Sequence, residues 1–284
     1  MDPNKEMLIN FFRAYVKGQV PDVTGRNERH DGKEGNWLEE QFGKSPDADN
    51  HADFYGYELK NETTSKTSFG DWSANRYIYK KSCYSHLFDG KTPTQRQDSF
   101  CRIFGAPNPD KNNRYSWSGR PVPKINKYNS FGQILKIVEP NESWGTPFDT
   151  PIREFDILAV YSFSKDMREN KDFIIPKPLQ QENLIIAHWF GLESLSIKRG
   201  DKCLKQKLED KFNDMGWFTC KTDLNGKYDR ICFGAPFNYN SWLELIRRGI
   251  VFFDSGMHEG NIRPYSQWRA SNQFWDSLII ETYK

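Results

Sequence analysis

Apolar positions recur at helical spacing from the start of the chain. Within residues 5–17, Met7, Leu8, Phe11, Phe12 and Tyr15 share one face, which predicts an opening amphipathic helix. A polar, glycine-bearing stretch follows from Gly18 to Gly35, and then Asn36-Trp37-Leu38-Glu39-Glu40-Gln41-Phe42 reads as a short helix stopped by Gly43. Past a loop of Asp and Asn between Ser45 and His51, the period changes to two, and residues 53–60 alternate as a strand does. Further strands are expected around Tyr77-Ile78-Tyr79, over 132–138 and over 155–163. Between them, residues 89–130 are rich in Pro, Gly, Asn and basic residues, which predicts long loops or an inserted excursion. Residues 200–215 predict a helix with Leu204, Leu208 and Phe212 at i, i+4, i+8 and lysines on its other faces. Strands at 216–221 and 229–233 flank the turn pair Asn225-Gly226. A helix over 239–248 stops at Gly249 ahead of a strand over 250–254, and a helix over 273–280 closes the chain. No internal repeat and no linker is visible, so the pattern is mixed α+β.

Composition changes this picture little. The 284 residues are only 37% hydrophobic, but 9 Trp, 13 Tyr and 21 Phe bring enough area per residue to build a core. A net charge of +2 argues against a polycationic nucleic-acid coat, while leaving room for local positive potential such as residues 198–211 and Arg247-Arg248. Five cysteines, an odd number without a CxxC pair, fit reduced thiols better than a disulfide frame or a zinc knuckle. No signal peptide is apparent and no apolar run approaches the length of a membrane span, so a soluble, cytoplasmic protein with no membrane partner is expected.

The informative segment is Asp53-Phe54-Tyr55-Gly56-Tyr57-Glu58-Leu59-Lys60. On a strand Glu58 and Lys60 point to the same side, and Asp53 can turn toward them from the preceding bend. Two carboxylates beside a lysine suit phosphodiester hydrolysis. The carboxylates hold Mg²⁺, which activates a water and offsets charge on phosphorus, and the lysine orients or deprotonates that water. A spacing of Asp-x4-Glu-x-Lys alone is short and common, and an amphipathic strand with a surface Glu-Lys pair would also satisfy it. Other chemistries find less support. The five histidines do not pair at metal-ligand spacing, and there is no HExxH, no GxxxxGK[ST] and no GxSxG.

The wider context is more specific. Gly35-Asn36-Trp37-Leu38-Glu39-Glu40-Gln41-Phe42-Gly43, a short loop, Asp53, and then Gly56-Tyr57-Glu58-Leu59-Lys60 resemble, in this order, the PD-(D/E)xK nuclease core. The resemblance is to its MutH-like branch, on the side of the MvaI- and BcnI-type restriction endonucleases. It implies an α+β core with a mixed central sheet flanked by helices, plus a DNA-recognition lobe. It also implies that Asp53 and Glu58 are Mg²⁺ ligands, that Lys60 is the catalytic lysine, and that Glu39 is a helix-borne acid supporting the site. Asp47 and Asp49 stand in the intervening loop. The spacing favours Asp53, with Asp49 as the alternative ligand.

The C-terminal part resembles the DNA-reading hairpin of such enzymes more loosely. Asp254, His258, Asn261, Arg263, Gln267 and Arg269 are residue types that read base edges, Arg suiting guanine, Asn or Gln adenine, and an acid cytosine. Lys202, Lys205, Lys207 and Lys211 could meet phosphates from an outer helix face. The stretch 111–120, with Arg114, Tyr115 and Trp117, mixes cations and aromatics and could close over DNA, although an ordinary surface insertion accounts for it equally. The expected organisation is one nuclease unit, with a catalytic core over about 1–165 and a mainly DNA-recognising region over about 166–284. The expected function is a Mg²⁺-dependent type II restriction endonuclease acting on double-stranded DNA as a monomer, with a companion methyltransferase linked genetically. A strand-nicking repair endonuclease of MutH type and a catalytically inactive DNA-binding module are the alternatives.

Overall fold

The computed structural model describes residues 2–24, 33–44, 50–61, 65–196 and 198–284. Asp47 and Asp49 therefore lie outside the described residues, as do residues 25–32 of the glycine-bearing stretch before Gly35. The chain divides into two compact units that interleave along the sequence. The first comprises residues 1–68, 207–242 and 270–284, and the second 69–206 and 243–269. Among the described residues no helix is long and apolar enough to cross a membrane.

The first unit is built on a four-stranded sheet in the order Tyr57–Leu59, Gly216–Thr222, Tyr228–Gly234, Ile279–Tyr283. The first pair is parallel, with Glu58 opposite Trp217, and the other two pairs are antiparallel. One face carries Tyr57, Leu59, Phe218, Cys220, Ile231 and Phe233 and is covered by helical residues Leu8, Ile9, Phe12, Val16, Trp37 and Leu38. On the other face Trp217 meets Trp275 edge-on at 5.0 Å, and Phe212 and Phe237 complete the layer. Side chains on a strand alternate between faces. A strand that buries Tyr57 and Leu59 against the first layer therefore turns Glu58 and Lys60 toward the second, where the helix Leu204–Phe212 ends.

Several elements differ from the sequence reading. The opening helix spans Pro3–Phe11 and widens into a π turn over Phe12–Val16, where the Lys17 N–H donates to the Phe12 carbonyl at 2.8 Å. The buried row is consequently Leu8, Ile9, Phe12 and Val16, and Met7 and Tyr15 are exposed. The chain does not close on a helix over 273–280. A short helix, Asn272–Ser277, gives way to the edge strand Ile279–Tyr283. The strand expected over 53–60 contracts to Tyr57–Leu59, because Tyr55 and Gly56 (φ 52° and 85°) make a two-residue turn of the kind that positive φ at both positions permits. Phe54 and Tyr57 exchange both backbone hydrogen bonds across it, at 2.9 and 2.8 Å.

The second unit has an antiparallel sheet in the order Arg76–Tyr77, Leu184–Trp189, Ile157–Asp166, Phe131–Ile137. Leu184–Trp189 is buried at every position, a strand that the sequence reading did not mark. Residues 89–130 are more ordered than their composition suggests. Pro93–Phe104 is a helix whose Thr92 and Gln95 form a reciprocal capping box with proline in the first turn, and Ala106–Asn108 pairs with Arg114–Trp117. Its buried face includes Gln97, Ser99 and Cys101 as well as Phe100, Ile103 and Phe104, so the apolar period is interrupted.

The turn at Gly56 predicts a stability effect. A Cβ there would meet Asp214 Oδ2 at 2.4 Å and Met215 Cγ at 2.8 Å, at a φ of 85° that side chains rarely adopt. Gly56→Ala is expected to destabilise the protein by about 1–3 kcal/mol, read as a lower urea midpoint. An unchanged midpoint would show that this turn relaxes without strain.

Candidate active site

Glu58 is the centre of the cluster. It is 2% exposed, and a bare carboxylate in that position would carry a desolvation cost of several kcal/mol. Two ammonium groups offset it, Lys60 Nζ and Lys211 Nζ approaching the same oxygen, Glu58 Oε1, at 2.8 and 2.9 Å. The other oxygen, Oε2, is buried with no hydrogen-bond partner. Burial alone would raise the Glu58 pKa, but the two lysines outweigh it and hold the carboxyl below its ordinary value. Lys60, itself 8% exposed and 5.0 Å from the Phe212 ring centroid, is shifted the other way: burial lowers its pKa against the pull of Glu58. Lys211 keeps a raised pKa, because Glu58 outweighs the burial of its ammonium.

Asp53 reaches this cluster through the two-residue turn. Its Oδ2 accepts the Leu59 N–H at 3.1 Å, and its Oδ1 accepts Lys44 Nζ at 2.9 Å. Burial, and then the negative charge of Glu58, raise its pKa. Glu39 comes from the helix Lys33–Gln41, between the buried Trp37–Leu38 pair and Phe42. Its carboxyl is pushed up to about 7, first by burial and then by the charge of Asp53. Three carboxylates and three lysines thus share one pocket of electrostatic influence. Among the described residues no three His, Cys, Asp or Glu side chains converge as a closed metal cage. The orphaned Glu58 Oε2 beside Asp53 still fits a hard divalent cation of the Mg²⁺ kind, which takes one or two carboxylates and fills its remaining positions with water and phosphate.

Comparison with known proteins settles what kind of protein carries this cluster. The family model described as LlaMI restriction endonuclease matches residues 16–283. The chain belongs to the LlaMI restriction endonuclease family. A curated relative, the type II restriction enzyme ScrFI of Lactococcus lactis subsp. cremoris, is 56% identical over 285 residues and covers 100% of both chains. Among solved structures, restriction endonuclease MvaI in complex with cognate DNA matches over 100% of this chain and 98% of that one, with a TM-score of 0.51 at 12% identity. That likeness is one of fold, and it gives this α+β chain a restriction-endonuclease-like architecture.

In this restriction endonuclease the second unit carries three of the sequence-marked polar residues on an antiparallel ribbon, two strands of a three-stranded sheet whose third is Lys66–Asp71. Phe252–Ser255 pairs antiparallel with Ser266–Ser271, Asp254 lying opposite Gln267 and Phe252 opposite Arg269. Phe253 and Trp268 turn inward against Trp117 and Trp189, so Asp254, Gln267 and Arg269 share the outer face. Arg269 already touches Asp254 at 3.4 Å. Arg263, in the loop before the second strand, pairs with Asp71 at 2.8 Å and lies 4.3 Å over the Tyr265 ring. His258 and Asn261 are spent on each other, with Asn261 Oδ1 accepting the His258 N–H at 2.7 Å and the two side chains 2.9 Å apart. Arg114 stands on Arg114–Trp117 with its Nε buried and unpartnered. Lys205 is exposed, and Lys202 is half-buried.

The sequence reading missed Lys44 and misplaced Lys211. Leu204, Lys207, Leu208, Lys211 and Phe212 fall at i, i+3, i+4, i+7, i+8, the full inward stripe of a helix. Lys207 is accordingly buried and Lys211 is turned into the carboxylate cluster, not outward to phosphates. For Lys44 no comparable periodic signal exists.

The raised pKa of Glu39 predicts a pH dependence. The folded form binds its proton more tightly than the unfolded form, so this contribution is complete below pH 4.5 and is lost as pH rises through about 7. Glu39→Gln is expected to gain stability relative to the parent by about 1–3 kcal/mol between pH 5 and pH 8 in metal-free buffer. Parallel melting curves for the two proteins across that range would count against this environment for Glu39.

Proposed function

We propose that this chain is a Mg²⁺-dependent type II restriction endonuclease that reads a short duplex sequence and hydrolyses its phosphodiester bonds at Asp53, Glu58 and Lys60. The observation that carries the reading is the buried Glu58 carboxylate, with one oxygen shared by two lysines and the other unpartnered beside Asp53. Asp53 and Glu58 would hold the cation, which when bound supplies Lewis-acid activation of water and charge neutralisation at phosphorus. Lys60, whose pKa is lowered and whose Nζ is fixed on Glu58 Oε1, is suited to orienting the attacking water and, once it has lost its own proton, to accepting one from that water as the neutral amine. Lys211 holds Glu58 ionised and adds positive charge where the phosphorane charge develops. Glu39, near half-protonated at neutrality, supports the pair from its helix.

The first unit thus cuts and the second unit reads. Asp254, Gln267 and Arg269 on the ribbon face, with Arg263 beside them, are the base-reading set, whereas His258 and Asn261 shape the loop that carries Arg263. Lys202, Lys205 and Arg114 contact the DNA backbone. The enzyme acts as a cytoplasmic monomer, one strand at a time, in a host whose DNA a companion methyltransferase protects.

Digestion of unmethylated phage DNA by the purified protein tests this directly. Discrete fragments are expected with Mg²⁺ and none with EDTA, and Glu58→Ala and Lys60→Ala should each lower the cleavage rate by roughly 10²- to 10⁴-fold. Full activity in either variant, or no cleavage of any duplex by the parent, would overturn the assignment. On the reading face, Arg269→Ala should relax discrimination at one base pair by about 1–3 kcal/mol, measured as relative cleavage of substrates altered at single positions.

A further inference from the structure

The four oxygens of Asp53 and Glu58 have distinct surroundings. Glu58 Oε1 is held by Lys60 and Lys211, and Asp53 Oδ2 is held by the Leu59 backbone N–H. Glu58 Oε2 is buried and has no partner. The remaining oxygen, Asp53 Oδ1, is held by Lys44 at 2.9 Å. A cation shared by the two carboxylates can take the unpartnered Glu58 Oε2, whereas both Asp53 oxygens already accept hydrogen bonds, and of their two donors only the Lys44 ammonium is a mobile charge that a cation can displace.

We propose that Lys44 is a charge placeholder: its ammonium fills the Asp53 position of the divalent-cation site in the metal-free protein and must leave when the cation enters. The inference rests on the assignment of Asp53 and Glu58 as cation ligands. Lys44 suits the part better than the other two lysines. Its side chain is 22% exposed, against 10% for Lys60 and 16% for Lys211, so it has the shortest way back to water. Lys60 and Lys211 share the oxygen that cation entry leaves untouched. Without Lys44, Asp53 would meet the charge of Glu58 with no ammonium on either of its own oxygens, so a lysine there lowers the cost of the metal-free state.

Mn²⁺ binding to the full chain without DNA, followed by the loss of the free-ion electron paramagnetic resonance signal and by calorimetry, tests the proposal. Lys44→Met removes the competing charge and should tighten Mn²⁺ binding roughly two- to fivefold, the range commanded by a partly exposed ion pair. Lys44→Arg, which keeps the charge, should bind as the parent does. Metal-free Lys44→Met should also melt below the parent, with the gap closing at saturating Mn²⁺, a pattern that a purely structural lysine would not give. Unchanged or weaker Mn²⁺ binding in Lys44→Met overturns the placeholder role. Glu58→Gln separates the two levels. If it abolishes Mn²⁺ binding while Lys44→Met changes nothing, the cation site stands and the placeholder falls; if it leaves Mn²⁺ binding intact, the assignment of the site itself falls.

Discussion

A carboxylate removed almost wholly from water is stable only if its charge is met at short range, and Glu58 is met twice on one oxygen. Much of the first unit can be traced to that requirement. Lys60 must lie two residues on, so that the strand's alternation carries it to the same face. The helix Leu204–Phe212 must end beside that face for Lys211 to arrive, and the parallel pairing of Tyr57–Leu59 with Gly216–Thr222 brings it there through the intervening turn. The two-residue turn at Tyr55-Gly56 must be tight, because only a short reversal returns Asp53 far enough to accept the Leu59 N–H.

This also explains what the sequence could reveal. Asp53, Glu58 and Lys60 are legible because their geometry is nearly local, set by a turn and a period of two. Lys211 lies more than 150 residues from Glu58 and reads as one of many lysines on a polar helix, although the i, i+3, i+4, i+7, i+8 row places it on the inward stripe. A lysine in such a row looks like a break in the apolar pattern until its partner is known. Lys44 offers less, since no helical or strand period links it to Asp53 nine residues on. Fold features were lost for the same reason. The helix Pro93–Phe104 buries Gln97 and Ser99 against other polar partners, including the Asn261 carbonyl and the Asp89 N–H, so its apolar count is too low to stand out. The final strand has the half-buried pattern of a sheet edge and follows a helix without a break, so its residues read as a continuation of that helix. The opening helix was recognised, but a π turn shifts its phase and exchanges which residues are buried.

On the proposed reading, the ribbon in the second unit displays its base-reading residues from a well-anchored support. Its inner positions, Phe253 and Trp268, pack with Trp117 and Trp189 and anchor that face in the core. Asp254, Gln267 and Arg269 lie on the opposite, partly exposed face. Arg269 and Asp254 hold each other at 3.4 Å, so each enters any encounter with its orientation partly set and loses less rotamer freedom on forming new hydrogen bonds.

With Glu39 ionised, the three carboxylates balance Lys44, Lys60 and Lys211, and the uptake of a proton by Glu39 near pH 7 leaves a single positive charge. The cluster is thus close to neutral before any cation enters. Even with Lys44 displaced, a divalent ion bound alone would leave the cluster with a net positive charge, an unfavourable state in a medium of reduced dielectric. A phosphodiester supplies negative charge and oxygen ligands at the same time, so on the proposed reading cation and DNA each lower the cost of binding the other. By linkage that coupling must be reciprocal. Electrostatics of this cluster would then keep the hydrolytic centre incomplete until both are present.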